Sequence, residues 1–375
     1  MGRLIRFASA IVLVLMLALF HNSLTFVQAQ NGMTPPLAPS NTQTVNSPQA
    51  DQPIRVESNE VVAQVSVTDD AGETVLDLSQ KDFHVFDNGV EQKIGRWDLG
   101  GDPLAVCLVI ETSSHIRPMI PVIHSLGSIF TETVMAFNGE AAVVTYSDEV
   151  NVIQPFTQDH DLVEKAIAKT EFLAPDKKLY DGMANAVLLL RSQPSTFRRV
   201  MLVLGESQDN SSEANLGQVL RDALAADIMI YGIGVSSTTA DLRYGTQTLP
   251  DGKKLSVKLP KHLPPVSTVG PGADTAGRPY WDVMTPAIWL LTRGTDRISD
   301  HQLEVAAAAT GGIHYGALRD ATIRTALDRI GGELHAQYVL SYVPTDNTPG
   351  FHKIEVNVER PGLNVRTRPG YFPGR

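Results

Sequence analysis

The spacing of apolar residues changes character along this chain, and each change predicts a different kind of element. From Ile54 to Leu99 apolar and polar positions alternate in short segments. Val61-Val62-Ala63-Gln64-Val65-Ser66-Val67 is followed by a turn at Asp69-Asp70-Ala71-Gly72, and Phe83-His84-Val85-Phe86 by a second turn at Asp87-Asn88-Gly89. Period-two alternation bounded by Asp, Asn and Gly predicts strands and hairpins. The central region instead holds continuous apolar runs at Ala105 to Ile110, Ala141 to Tyr146, Val200 to Leu204 and Ile228 to Ile233. Such runs predict strands buried on both faces. Between and after them Leu179, Met183, Ala186, Val187 and Leu190 share one helical face, as do Leu216, Val219, Leu220 and Leu224, and Ile323, Leu327, Ile330 and Leu334. The alternation predicts an α/β domain with a mostly parallel central sheet and helices on both faces.

Strand patterns return at Tyr338-Val339-Leu340-Ser341-Tyr342, at Lys353 to Val358 and at Leu363-Asn364-Val365-Arg366. Neither these nor the N-terminal strands suffice for a core alone, so the two sets are expected to join in a small β-sandwich-like module. The expected division is a signal peptide at 1–29, a disordered linker at 30–53, N-terminal β-strands at 54–100, the α/β domain at 101–335 and C-terminal strands at 336–375. Residues 236–282 are too long and too rich in Pro, Gly and Thr for an ordinary βα connection and read as an insertion. Pro250-Asp251-Gly252 and the alternating Leu255, Val257 and Leu259 predict a small hairpin within it.

The N-terminus adds a destination. Arg3 and Arg6 precede an apolar run of about 14 residues from Phe7 to Phe20, and Val27-Gln28-Ala29 resembles a cleavage site. That is the pattern of a secretory signal peptide; an uncleaved anchor is the lesser reading, because the run is short of the roughly 20 residues a spanning helix needs. The product is expected in the periplasm or outside the cell, with no membrane span after cleavage. At 43% hydrophobic and 19% charged residues the chain has enough apolar surface for a large core. Its formal charge of -10, or -12 without Arg3 and Arg6, argues against nucleic acid as a partner. The single cysteine, Cys107, leaves stability to packing.

In open α/β sheets ligands bind beyond the carboxyl ends of the strands. There the sequence places Glu111-Thr112-Ser113-Ser114-His115 and Gly205-Glu206-Ser207-Gln208-Asp209-Asn210. Carboxylates and a hydroxyl at one sheet edge are oxygen donors of the kind a hard divalent cation uses.

At these residues the sequence resembles the von Willebrand factor A-like domain, and specifically bacterial proteins of that family with a signal peptide and a flanking β-module. The resemblance rests on Asp82-Phe83-His84-Val85-Phe86-Asp87-Asn88-Gly89-Val90-Glu91-Gln92-Lys93-Ile94, on Leu179-Tyr180-Asp181 opening a helix, and on Asp209-Asn210-Ser211-Ser212 after a strand. It extends to the closing Tyr338-Val339-Leu340-Ser341-Tyr342 with Arg360-Pro361-Gly362-Leu363. It implies a Rossmann-like domain and a metal-ion-dependent adhesion site for Mg²⁺ or Mn²⁺, completed by an acidic group of the partner. The family's D-x-S-x-S becomes Glu111-x-Ser113-x-His115 here, its usual threonine becomes Lys177, and its later Asp becomes Glu206. Glu111, Ser113 and Glu206 would then be a degenerate metal site modified by His115 and Lys177, or a salt-bridged pair in which the Lys177 ammonium replaces the ion. The second is the expectation; His115 is expected to be solvated or capping, and Asp181 to belong to helix-start packing.

The function so implied is recognition of a protein or surface polymer by a non-enzymatic domain, or, alternatively, an envelope scaffold acting through its β-module. The basic cluster Lys253, Lys254, Lys258 and Lys261, with His262, is a candidate partner contact, although charge runs are more often solvated faces. A rival reading makes Ser207 the nucleophile of a serine hydrolase, since Gly205-Glu206-Ser207-Gln208 follows a strand and partly matches G-x-S-x-G. Asp209 in place of the last glycine, and a polar turn where a helix should begin, weigh against it.

Overall fold

The period-two segments form strands whose inward residues build one small core. In a computed structural model that describes residues 60–136, 138–171, 174–235, 287–288, 290–292, 301–317 and 320–373, they are β1 (Val61–Asp69), β2 (Phe83–Asp87), β3 (Val90–Gln92) and β4 (Ile94–Leu99). Asn88 and Gly89 join β2 to β3 with φ of 50° and 80°, the left-handed pair that a two-residue hairpin requires. The expected signal peptide, linker and insertion, the last carrying Lys253, Lys254, Lys258 and Lys261, lie outside the described residues.

The unbroken apolar runs form the centre. β5 (Leu104–Glu111) is buried at every position, and β6 (Glu140–Tyr146), β8 (Arg198–Gly205) and β9 (Ile228–Val235) are nearly so. With β7 (Val150–Thr157) and β10 (His314–Ala317) they make a six-stranded sheet in the order β10-β9-β8-β5-β6-β7. All its pairings are parallel except β6 with the edge strand β7. The mostly parallel sheet is thus present, and the antiparallel edge escaped the sequence reading because β7 is largely exposed and lacks a long apolar run.

Side chains alternate across this sheet and feed two cores. Leu104, Val106, Leu108 and Ile110 point to a layer with Val163 and Ile167 of α1 (His160–Ala168) and Ile323, Leu327, Ile330 and Leu334 of α5 (Asp320–His335). Ala105, Cys107 and Val109 face the other layer, with α2 (Leu179–Arg191), α3 (Leu216–Ala225) and α4 (Gln302–Thr310). Cys107 is fully buried, and burial pushes its thiol well up, so it is a packing residue. Among the described residues no helix is long and apolar enough to cross a membrane.

The C-terminal strands return to the N-terminal ones, as expected. β11 (Tyr338–Tyr342) and β13 (Leu363–Arg366) flank β1 to give β13-β1-β11-β4, while β12 (His352–Val358) and β14 (Gly370–Tyr371) extend β2 and β3 to give β14-β12-β2-β3. Both sheets are antiparallel and share a core containing Val65, Val67, Val85, Tyr338, Leu340, Tyr342 and Ile354. Two buried polar nodes tie this region together. Asp87 accepts hydrogen bonds from Tyr342 at 3.1 Å and Tyr371 at 2.7 Å and lies 2.9 Å from His352 Nδ1. Glu333, on α5, accepts from Ser66 Oγ of β1 at 2.9 Å and the Tyr231 hydroxyl of β9 at 2.5 Å, and pairs with Arg366 of β13.

Candidate functional site

The site begins where β5 ends. Glu111 is its last residue, fully buried, and its carboxylate is held from two sides: Ser113 Oγ donates to Oε1, and the backbone N–H of Glu206 donates to Oε2 at 2.5 Å. The second bond exists because β8 runs parallel beside β5 and stops one residue before Glu206. Burial pushes the Glu111 carboxyl above its ordinary range, against the opposing pull of the bonds from Ser113 and Glu206 and of the nearby Lys177 charge.

Lys177 stands just before α2, and its ammonium pairs with Glu206 Oε2, with 7% of the lysine side chain and 12% of the glutamate side chain exposed. Its place is set by the backbone, since Lys177 N–H donates to Asn210 Oδ1 at 2.8 Å and its carbonyl accepts from Asn210 N–H at 3.1 Å. The loop after β8 also caps the start of α2. Asp209 Oδ1 accepts from Tyr180 N–H at 3.3 Å and Ser212 Oγ from Asp181 N–H at 3.1 Å, supplying acceptors to first-turn donors that otherwise have none in the helix. Asp181 answers by accepting from Glu213 N–H at 3.2 Å and Ala214 N–H at 2.8 Å. Those two residues are held in the loop, and α3 begins at Leu216 behind its N-cap Asn215.

Glu111, Ser113, Lys177 and Glu206 therefore come together, and His115 does not join them. It is exposed on a 3-10 turn over Ser114–Met119, and among the described residues no hydrogen bond links it to either carboxylate. Nor do three or more His, Cys, Asp or Glu side chains converge on a metal-sized site among the described residues. Tyr146, buried at the end of β6, lies against Glu111, and a Cβ at Gly205 would meet the Tyr146 hydroxyl and sit 2.7 Å from Glu111 Oε2. Gly205→Ala is expected to cost about 1–3 kcal/mol through overpacking, which a lowered urea midpoint at unchanged m-value would register.

A second group shares this rim and was missed by sequence reasoning. His314 of β10 is 7% exposed, with Nε2 3.5 Å from Ser207 Oγ and Nδ1 3.5 Å from Glu304 Oε1 on α4. His301, at the start of α4, places its Nδ1 2.7 Å from the other Glu304 oxygen. The imidazole lies across β9, where a Cβ at Gly232 would come within 2.7 Å of its Cδ2 and one at Gly234 within 2.6 Å of its Nε2. The pair Gly232-x-Gly234 inside an otherwise bulky strand was the available signal, since strand glycines mark close approach of another group.

Residues 107–249 match the model of the von Willebrand factor type A domain. Among solved structures, an aerotolerance-related membrane protein from Bacteroides fragilis is similar at 11% identity, over 61% of this chain and 98% of its own, with a TM-score of 0.38. The conserved hypothetical protein BatB from Bacteroides thetaiotaomicron is similar at 11% identity, over 62% and 98% of the two chains, with a TM-score of 0.39. Proximal thread matrix protein 1 from the mussel byssus, with its MIDAS motif occupied by zinc, shows 19% identity over 37% of this chain and 38% of its own, with a TM-score of 0.32. No curated protein matches the chain. The matched segment takes in most of β5, all of β6 to β9 and the rim loops that carry Glu111, Lys177 and Glu206, so this chain contains a von Willebrand factor type A domain.

Proposed function

We propose that this is an exported binding protein of the adhesion type, which recognises a protein or surface polymer through the carboxyl-side rim of its A domain with a lysine ammonium standing where relatives would hold a divalent cation. The observation that carries the reading is the buried Lys177–Glu206 ion pair. A cation site needs carboxylate and hydroxyl oxygens turned toward one point. Here both Glu111 oxygens already accept hydrogen bonds, and Glu206 faces the Lys177 ammonium, which supplies positive charge at this carboxylate. The residues present do not fit Mg²⁺ or Mn²⁺, and binding is proposed to proceed without either. Lys253, Lys254, Lys258 and Lys261 are proposed as a supplementary contact for an acidic partner. The Arg3 to Ala29 pattern supports delivery to the periplasm or the exterior.

Calorimetric titration separates this reading from a working metal site. Wild-type protein is expected to give no binding heat with Mg²⁺ or Mn²⁺, and its capture of an envelope partner is expected to be unchanged by chelator. Micromolar Mn²⁺ binding that disappears in Glu111→Ala would defeat the proposal. In Lys177→Thr the ammonium is gone and Glu111 and Glu206 must take up a proton or a cation instead. That variant is expected to gain Mn²⁺ binding that the wild type lacks.

A further inference from the structure

The Ser207, His314 and Glu304 side chains come from three separate elements, the β8 exit loop, β10 and α4, and meet at the rim where open α/β sheets present their ligands. Their order is that of a nucleophile, a base and a group that orients the base. The contacts of 3.5 Å on both sides of the imidazole match the loose spacing of catalytic hydrogen bonds before substrate tightens them. A ring this buried is not there for solubility, and β9 forgoes side chains at Gly232 and Gly234 where the ring crosses it.

Glu304 is equipped to orient the ring. Burial raises its carboxyl, and the hydrogen bonds to His314 and His301 more than reverse this, leaving it below its ordinary value and ionised at neutral pH. An ionised Glu304 at Nδ1 selects the tautomer with its proton on that nitrogen, which leaves Nε2 free to accept the Ser207 proton. The neighbouring N–H groups have divided duties. Glu206 N–H is committed to Glu111 and Asp209 N–H to Gln302 Oε1 at 2.8 Å, whereas Gln208 N–H, next after the serine, has no partner among the described residues. It is the donor open to a developing oxyanion. The helix that follows the nucleophile in a G-x-S-x-G elbow is absent from the loop after Ser207, and the base and the orienting carboxylate are supplied by β10 and α4.

We propose that Ser207, His314 and Glu304 form an acyl-transfer site that hydrolyses carboxylic esters through an acyl-Ser207 intermediate, an activity separate from the recognition proposed above and independent of Lys177. Ser207 Oγ bonds to the ester carbonyl carbon as its proton passes to His314 Nε2. Collapse of the tetrahedral adduct breaks the bond to the alcohol, which leaves with that proton. Water then attacks the acyl carbon and gives a proton to Nε2, the bond to Ser207 breaks, and the serine oxygen recovers the proton as the carboxylic acid departs.

The test is reaction of the full chain with a fluorophosphonate probe, with the adduct mapped by peptide mass spectrometry and folding checked by near-UV circular dichroism. Wild type is expected to carry the adduct on Ser207, and Ser207→Ala none. His314→Gln is expected to slow labelling on the order of 10²-fold or more, the size of a general-base contribution. Glu304→Gln, which keeps the serine and the imidazole, serves if the His314 variant fails to fold, and it too is expected to slow the reaction. No Ser207 adduct on the wild type, or a folded Glu304→Gln that labels at the wild-type rate, overturns the proposal.

Discussion

Glu333→Ala is expected to destabilise the protein by about 3–5 kcal/mol, because it leaves a buried guanidinium without its counter-charge. Arg366 is 7% exposed, and burial alone would lower its pKa; Glu333 and Tyr231 reverse that and hold it well above the ordinary arginine range. The same carboxylate accepts from Ser66, Tyr231 and Gln337, so its removal strands several donors along with one cation. Ser66, Tyr231, Glu333 and Arg366 sit on β1, β9, α5 and β13, with Gln337 just before β11, which makes the pair a joint between the β-module and the A domain. Urea unfolding of the variant is expected to show a large drop in midpoint. The double variant Glu333→Leu with Arg366→Met is expected to recover much of the loss, since apolar replacement of both members of a buried pair is often neutral. A loss within experimental error in Glu333→Ala alone would mean that water reaches Arg366. The joint also dictates how the binding surface is to be dissected. Cutting the chain at residue 335 would remove Arg366 and expose Glu333, so point variants on the rim are the sounder route.

The second large effect is expected at Asp87, at the end of β2. Its carboxylate is the shared acceptor of Tyr342 and Tyr371 and faces His352 Nδ1, while His352 Nε2 lies 2.9 Å from the Thr348 carbonyl. Asp87 and His352 are 5% and 1% exposed, so water cannot take over the lost contacts. Asp87→Ala is expected to cost on the order of 3–5 kcal/mol. Asp87→Asn keeps an acceptor oxygen for the tyrosines and is expected to cost distinctly less. Thermal or urea unfolding of the two variants side by side measures the difference, and equal losses would show that packing rather than hydrogen bonding sets the value of this node.

Much of the fold was legible in local pattern. Each of the four apolar runs is a central strand, and the residues assigned to one face of the helices at Leu179, Leu216 and Ile323 are buried together. Period reports burial directly, because a strand covered on both sides tolerates no polar position and a helix on a sheet must bury one stripe. Local pattern was silent where burial was incomplete or secondary structure irregular. The exposed edge strand β7 and the π-helical turn over Phe130–Met135 are of this kind. The meeting of β1 with β11 and β13 was anticipated only from insufficiency, since nothing local in either segment names its partner.

The site divides along the same line. The residue types just after β5 and β8 marked the rim in the sequence, and the substitution pattern singled out Lys177. That the ammonium meets Glu206 and leaves Glu111 to Ser113 and a backbone N–H depended on the pairing of Lys177 with Asn210. His314 and Glu304 could not be found from Ser207, because about a hundred residues separate them and only the parallel addition of β10 to β9 closes the gap. Chain chemistry alone therefore determined which elements form and where charge is available at their ends, through periodicity and residue type, which act over a few neighbours. Which charges pair, which helix start the Asp209–Ser212 loop caps and what the serine faces were decided by tertiary packing, because hydrogen bonds act only over about 3 Å and folding sets those distances.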